Sequence, residues 1–163
     1  MIMKIYRLEQ KQILPITKTD CWKFFSDPRN LEKITPPDMH FAIKSELPTA
    51  MHAGQIITYK INILPGVKLN WVTEITHVIE NKYFVDEQRF GPYKFWHHQH
   101  FFNEVENGME VQDIVHYVIP LGILGRLANR LFIRSRLNKI FLYRKNFLTN
   151  YFIKLQSHLL QNT

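Results

Sequence analysis

Residues 91–102 read Gly91-Pro92-Tyr93-Lys94-Phe95-Trp96-His97-His98-Gln99-His100-Phe101-Phe102, and three of the chain's eight histidines fall within four residues there. The stretch opens on a turn signal and continues as an aromatic-rich segment with the composition of a strand. Side chains on a strand alternate between faces. Trp96, His98, His100 and Phe102 therefore share one face, and Phe95, His97, Gln99 and Phe101 the other. Two imidazoles beside two large aromatics suit the wall of a semi-polar pocket.

Pairing outward from this strand orders its neighbours. Asn107-Gly108 is a two-residue hairpin signal, and pairing from it sets Phe102 opposite Asp113, His100 opposite Val115 and His98 opposite Tyr117. A three-residue loop at Gly91-Pro92-Tyr93 sets Trp96 opposite Gln88, His98 opposite Asp86 and His100 opposite Phe84. A tight turn at Asn81-Lys82 adds Trp71, Thr73, Ile75 and His77 to the same face. That face then holds Trp71, Ile75, Phe84, Asp86, Gln88, Trp96, His98, His100, Phe102, Asp113 and Tyr117. Its polar members need partners if they are buried. Glu74, Thr76, Glu87, Arg89, His97, Gln99, Gln112 and His116 form the solvated face. A one-residue slip near Gly91 would exchange Asp86 and Gln88 for Glu87 and Arg89.

Along the rest of the chain, strands are predicted over 3–14, 40–47, 55–63, 67–79, 83–90, 94–105 and 109–119. Turn signals at Ala53-Gly54, Pro65-Gly66, Asn81-Lys82, Gly91-Pro92 and Asn107-Gly108 separate the later ones. Two short helices follow the first strand: Cys21 to Ser26, capped by Thr19 or Asp20, and Asn30 to Ile34. A long helix is predicted over about 126–160. Short connections favour an antiparallel meander, and the only large element available to cover a sheet face is the last helix. The expected fold is α+β: a curved seven-stranded antiparallel sheet wrapped around a long C-terminal helix. Residues 1–163 are expected to form one domain.

The net charge of +7 is unevenly placed: residues 1–120 carry 13 Lys/Arg against 14 Asp/Glu, whereas residues 121–163 carry 8 Lys/Arg and no acid. No apolar run reaches the ~18–20 residues of a membrane span. The stretch from Met1 to Arg7 lacks the apolar core of a signal peptide, so a cytoplasmic location is expected. Cys21, the single cysteine, reads as a buried structural thiol rather than a nucleophile. The aromatics of the inner face are not interleaved with Lys or Arg on that face, which argues against a nucleic-acid platform.

On the long helix, Ile133, Leu137, Ile140, Phe147, Leu148, Tyr151 and Leu155 form a stripe that should cover the sheet. Arg130 and Arg144 fall on or beside it, where one could reach the cavity and pair with a carboxylate or an anionic ligand. Phe132, Phe141, Leu142 and Phe152 widen the apolar surface. With eight flanking cations this helix could touch an anionic membrane; a partner or homodimer surface is the alternative.

Several spaced motifs together resemble the START-like superfamily, also called SRPBCC. They are Phe84-x-Asp86-x-Gln88, Gly91-Pro92-Tyr93-x-x-Trp96-x-His98-x-His100-x-Phe102, Asp113-x-Val115-x-Tyr117-x-x-Pro120 and Gly122-x-x-Gly125. Upstream, Trp22-x-x-Phe25-x-Asp27-Pro28-x-Asn30-Leu31 and Ile34-Thr35-Pro36-Pro37 look like its first-helix region. The superfamily includes polyketide cyclase/dehydrase-like and birch-pollen-allergen-like proteins, and the likeness here is to its small bacterial ligand-binding members. The resemblance implies a helix-grip fold with a cavity between sheet and C-terminal helix, taking lipid-, sterol- or polyketide-like molecules. A minority of members catalyse cyclisation or dehydration. Fold membership alone transfers no reaction.

The expected ligand-binding residues are Trp71, Phe84, Asp86, Gln88, Trp96, His98, His100, Phe102, Asp113, Tyr117 and Arg144. Their expected role is recognition of a hydrophobic or amphipathic small molecule. The alternative is a cyclase/dehydratase-like lyase or isomerase using Asp86 and His98 as an acid–base pair. A third reading is a peripheral membrane or lipid-transfer module built on the basic helix. Zinc on His98 and His100 would need a third ligand such as Asp86 or Asp113; the expectation is no metal and no cofactor.

Overall fold

A computed structural model describes residues 3–64 and 66–161. Pro65 of the expected Pro65-Gly66 turn, and Met1 and Ile2, lie outside the described residues. In chain order the elements are β1 (Tyr6–Leu14), α1 (Lys18–Phe25), two 3₁₀ turns (Pro28–Leu31 and Pro37–Met39), β2 (Ala42–Ile43), β3 (Gln55–Leu64), β4 (Val67–Ile79), β5 (Tyr83–Phe90), β6 (Phe95–Val105) and β7 (Gly108–Val118). Then come α2 (Gly122–Ala128), a π-helical turn (Asn129–Ile133) and α3 (Arg134–Gln161). The strands form one seven-stranded sheet in the order β1-β7-β6-β5-β4-β3-β2, antiparallel throughout. This is the α+β helix-grip arrangement: a curved sheet closed by the C-terminal helix. Among the described residues no helix is long and apolar enough to cross a membrane.

Parity explains why α3 lies where it does. β6 and β7 alternate strictly, with Trp96, His98, His100 and Phe102 buried on one and Val111, Asp113, Val115 and Tyr117 on the other. α3 answers with Leu137, Phe141, Leu148 and Phe152, all buried. β1 contributes polar side chains to the same seam. Gln10 Nε2 donates to the Phe141 carbonyl, and Gln12 Nε2 donates to the Lys145 carbonyl and Thr149 Oγ1 at 2.9 and 2.7 Å. Phe141 and Phe152 were expected beside the packing stripe and are instead inside it, while Leu155, placed on the stripe by spacing, is exposed. Arg130 is also exposed. The π-helical turn lies upstream of these buried positions, which recur at ordinary helical spacing on one face of α3. Its buried Asn129 accepts a hydrogen bond from the Tyr117 hydroxyl at 3.1 Å.

Local chemistry accounts for the other departures. α1 starts a turn earlier than expected because Thr17 is its cap: Thr17 Oγ1 accepts from the Asp20 amide and donates to the Asp20 carboxylate. The second short helix is a 3₁₀ turn whose cap is Asp27. β2 shrinks to two residues: His40 is left-handed, with φ 43°, and Lys44 and Ser45 both donate backbone N–H to the Thr58 carbonyl, which ends the ladder. A register shift between Ile75 and His77 turns His77 out to solvent, off the face predicted for it.

The β6–β7 hairpin turns on Glu106-Asn107, with Val105 opposite Gly108, and not on Asn107-Gly108. Gly108 opens β7 with φ +131°, and a Cβ there would lie 2.1 Å from the Leu14 carbonyl oxygen, so the edge of β1 demands glycine. The pairing therefore moves by two residues, which preserves every face but changes every neighbour. His100 faces Asp113, His98 faces Val115, Trp96 faces Tyr117 and Phe102 faces Val111. Around Pro92 the expected register holds, with Asp86 opposite His98 and Phe84 opposite His100. Gly125, expected to lie before the long helix, sits inside α2, where a Cβ would fall 1.9 Å from the Pro120 carbonyl oxygen.

Candidate functional site

Two apolar clusters fill the grip. One joins Leu14, Cys21, Phe24, Phe25, Phe84, Phe102, Leu148 and Phe152. The other joins Met39, Phe41, Trp71, Trp96, Val115, Tyr117, Leu137 and Phe141. Cys21 is fully buried, and burial pushes its thiol up to about 12, as befits an inert structural thiol. A polar belt of Asp86, His98, His100, Asp113 and Arg144 meets both clusters. His100 stacks on Phe84 at 4.1 Å between ring centroids, and His98 stands edge-on to Trp96 at 6.1 Å and Phe141 at 5.7 Å.

Each histidine of the belt touches both aspartates. His98 Nε2 hydrogen-bonds Asp113 Oδ1 at 3.0 Å, and its Nδ1 lies 3.4 Å from Asp86 Oδ2. His100 Nε2 hydrogen-bonds Asp86 Oδ2 at 2.8 Å. Its Nδ1 comes within 2.8 Å of Asp113 Oδ1, but off the direction of a ring N–H, so that nitrogen makes no hydrogen bond. From α3, Arg144 Nη1 donates to Asp113 Oδ1 at 3.2 Å. The hydrogen-bonded pairs are thus Asp86–His100 and Asp113–His98, with the expected Asp86–His98 contact the longest of the four. The two-residue shift of the β6–β7 hairpin is what delivers Asp113 to the histidines.

Two carboxylates and one guanidinium leave one formal negative charge, which one proton on the imidazole pair would balance. Burial, and then the neighbouring His100 charge, pushes His98 below the usual histidine value. Burial opposes the charging of His100 too, but its contacts with Asp113 and Asp86 outweigh that and raise it. Both carboxylates are held low despite burial: Asp113 well below the usual range, chiefly by Arg144, and Asp86 by His98 and His100. A neutral His98 that donates Nε2–H to Asp113 keeps its Nδ1 lone pair on the Asp86 side.

Opposed shifts make the stability of the protein bell-shaped in pH. The raised His100 contributes fully below the unfolded value of ~6.5, and its contribution is lost as pH rises through the raised value. For the lowered His98 the unfolded chain takes up a proton that the fold refuses. Its contribution is complete above ~6.5 and is lost as pH falls through the lowered value. Urea midpoints measured from about pH 5 to 9 should therefore peak near ~6.5 and fall on both sides. A steady rise from neutral to alkaline pH would show that the pair holds no proton.

A cavity of about 270 Å³ opens in front of this belt. Trp71, Phe84, Asp86, Trp96, His98, His100 and Arg144, all predicted from the sequence, line it. Four other predicted residues do not. Gln88 instead brackets the backbone of Tyr93, donating to its carbonyl at 2.6 Å and accepting from its amide at 3.2 Å. Phe102 packs against Trp22 and Phe25. Tyr117 stacks on Tyr6 and bonds Asn129. Asp113 sits behind the histidines.

Sequence reading missed Tyr59, Thr73, Tyr93 and Arg136 as lining. Tyr59 and Thr73 join hydroxyls at 2.9 Å across β3 and β4, and the alternation of Ile57, Tyr59 and Ile61 was the available signal. Tyr93 belongs to a loop yet folds back on Trp71, Trp96 and Tyr117, and turn chemistry carries no hint of that. Burial raises both phenols, Tyr59 and Tyr93, so both stay protonated. Trp71 Nε1 is a buried donor with no partner. Asp86, His98 and His100 can each present one ligand atom such that all three lie within 4.8 Å of one another.

No family profile and no curated protein matches the chain. Solved structures do match its shape. Protein CV1439 from Chromobacterium violaceum has a TM-score of 0.66 at 16% identity, over 90% of this chain and 96% of that one. The di-domain aromatase/cyclase StfQ of the steffimycin pathway has a TM-score of 0.68 at 12% identity; 94% of this chain spans 52% of that one. Norcoclaurine synthase from Thalictrum has a TM-score of 0.64 at 10% identity, covering 93% and 98%. These likenesses show the fold alone, the helix-grip arrangement of sheet and C-terminal helix.

Proposed function

We propose that the chain forms one binding domain for a small amphipathic organic molecule. The observation that carries this reading is the cavity itself: apolar on most of its wall, with Asp86, His98, His100 and Arg144 gathered on one side. Apolar walls with a few placed polar groups are the usual form of a small-molecule site. A 150 Å³ cavity accepts benzene, so about 270 Å³ suits a body of one to two rings rather than a sterol. The apolar part would lie against Trp71, Trp96 and Phe141, and an ionisable or hydroxyl end would meet His98, Arg144 and the free Trp71 N–H. The neighbours support a ligand-holding use of this fold, since one is an aromatase/cyclase and another a norcoclaurine synthase. Extraction of the purified protein and mass spectrometry should recover a small compound of one or two rings. His98→Leu should weaken rebinding of that compound by at least about tenfold, the size of one buried polar contact. Unchanged affinity would remove the polar belt from the binding site.

One surface favours a second reading, in which the ligand is collected from a membrane. Leu121, Ile123, Leu124, Leu127 and Leu131 are exposed along α2 and the π-helical turn, where Arg126, Arg130 and Arg134 are exposed too. Phe132, next on the chain, is half-exposed and also lines the cavity. An apolar ridge bordered by cations fits an anionic bilayer surface. Flotation with phosphatidylglycerol vesicles should fall with salt and should be lost in Leu124→Glu/Leu127→Glu. Flotation equal on neutral vesicles would discard this reading.

A further inference from the structure

We propose that Asp86, His98 and His100 form a binding site for a divalent first-row metal ion of the zinc type, open toward the cavity. The nitrogens nearer Asp86 are His98 Nδ1 and His100 Nε2, at 3.4 and 2.8 Å from Asp86 Oδ2. Three ligand atoms around a tetrahedral zinc stand about 3.3 Å apart, given bonds of about 2.0–2.1 Å. The first distance already fits, and the second needs Asp86 to withdraw by about half an ångström as the intervening proton leaves.

The other two nitrogens, His98 Nε2 and His100 Nδ1, both lie beside Asp113 Oδ1, at 3.0 and 2.8 Å. Metal-bound imidazoles characteristically direct their second nitrogen to a carboxylate, which sets tautomer and ring orientation. Here one carboxylate serves both rings, and Arg144 anchors it from α3. His100 Nδ1 is buried without a hydrogen bond in its present orientation, and a small ring rotation on metal binding would align it.

Asp86, His98 and His100 line the cavity, whereas Asp113 is behind them. That division matches a three-ligand site with an open position rather than a closed structural site. With both imidazoles neutral, a divalent ion changes the formal charge of the belt from −1 to +1. The open position would therefore favour an anionic group, such as a carboxylate or phenolate at the polar end of a ligand. This last step rests on the ligand-binding reading; the metal site itself does not.

The test uses the full chain, stripped with chelator and titrated with Zn²⁺ alone by calorimetry and with Co²⁺ followed by visible absorption. One equivalent should bind, with the intense d–d bands of four- or five-coordinate cobalt. Asp86→Asn, which keeps shape and removes the anionic ligand, should weaken binding by more than the roughly 10–100-fold that loss of an outer-shell partner costs, and His98→Ala should abolish the cobalt bands. Near-UV circular dichroism checks that each variant keeps its packed tryptophans. A competing location exists on the outer face, where His97 contacts Glu87 and lies near His116. Binding that survives in Asp86→Asn and disappears in His97→Ala/His116→Ala would overturn the proposal, as would the spectrum of hexaaqua cobalt throughout. Metal binding without any recovered organic ligand would leave this site standing and sink only the ligand reading.

Discussion

Asp113→Ala is expected to cost the fold about 3–5 kcal/mol, the penalty of removing one member of a buried ion cluster. Against a total stability of about 5–15 kcal/mol, that brings the protein close to unfolding at room temperature. The size follows from what remains. Arg144 loses the carboxylate that Nη1 contacts at 3.2 Å, and His98 and His100 lose theirs at 3.0 and 2.8 Å. All sit where water does not reach freely: the side chain of Arg144 is 11% exposed and that of His100 4%. A charge-balanced deletion should do less damage. In Asp113→Ala/Arg144→Met one acid and one base leave together, and Asp86 still pairs with the histidines. The double variant should therefore be more stable than the two single losses combined, by at least about 1 kcal/mol in a mutant cycle. Urea denaturation reads all four proteins. A cost below about 1 kcal/mol for Asp113→Ala would falsify the charge balance of the belt.

How such a belt could be read beforehand, and where reading stops, is a matter of periods. Strand parity is a period of two, and a pairing error of two residues leaves it intact. That is why Asp86, His98, His100 and Asp113 were placed on one inner face even though the β6–β7 turn was set on Asn107-Gly108 and not on Glu106-Asn107. The same error chose the wrong partners, because neighbours depend on register and not on parity. Gly108 was read as a turn residue; its actual constraint is the Leu14 carbonyl across the sheet, a contact absent from local sequence. The helix side was harder. Apolar residues on α3 exceed one stripe, so spacing alone sets Phe141 and Phe152 beside the packed face and Leu155 on it, whereas the structure buries the first two and exposes the third. Side chains that leave their own element were not legible: Gln88 and Tyr93 exchange roles, one bracing the loop backbone and the other returning to the cavity wall. The fold was thus legible as pattern, and the candidate site as a face, but not as a set of contacts.

Trp96→Ala should open the cavity and make it rescuable by a molecule of the missing shape. Trp96 is 8% exposed and meets Trp71 edge-on at 5.5 Å, Tyr93 at 4.8 Å and His98 at 6.1 Å. Truncating so buried an aromatic costs about 3–5 kcal/mol through lost contacts and the void left behind. For a chain of this size that is a fall in Tm of about 6–20 °C. Because Trp96 already lines a cavity rather than sealing a solid core, the void should join existing space and stay open. Indole should then bind where the side chain was, as benzene fills an engineered apolar cavity. At one hundred times its Kd it should restore about 2.7 kcal/mol, while the parent protein gains less because its cavity is smaller. Calorimetric scans with and without indole check both halves. Equal shifts in the two proteins would mean that indole binds elsewhere. No shift in the variant would mean that Tyr93 and Trp71 collapse into the space, and then Trp96 holds the cavity open and does not simply form one of its walls.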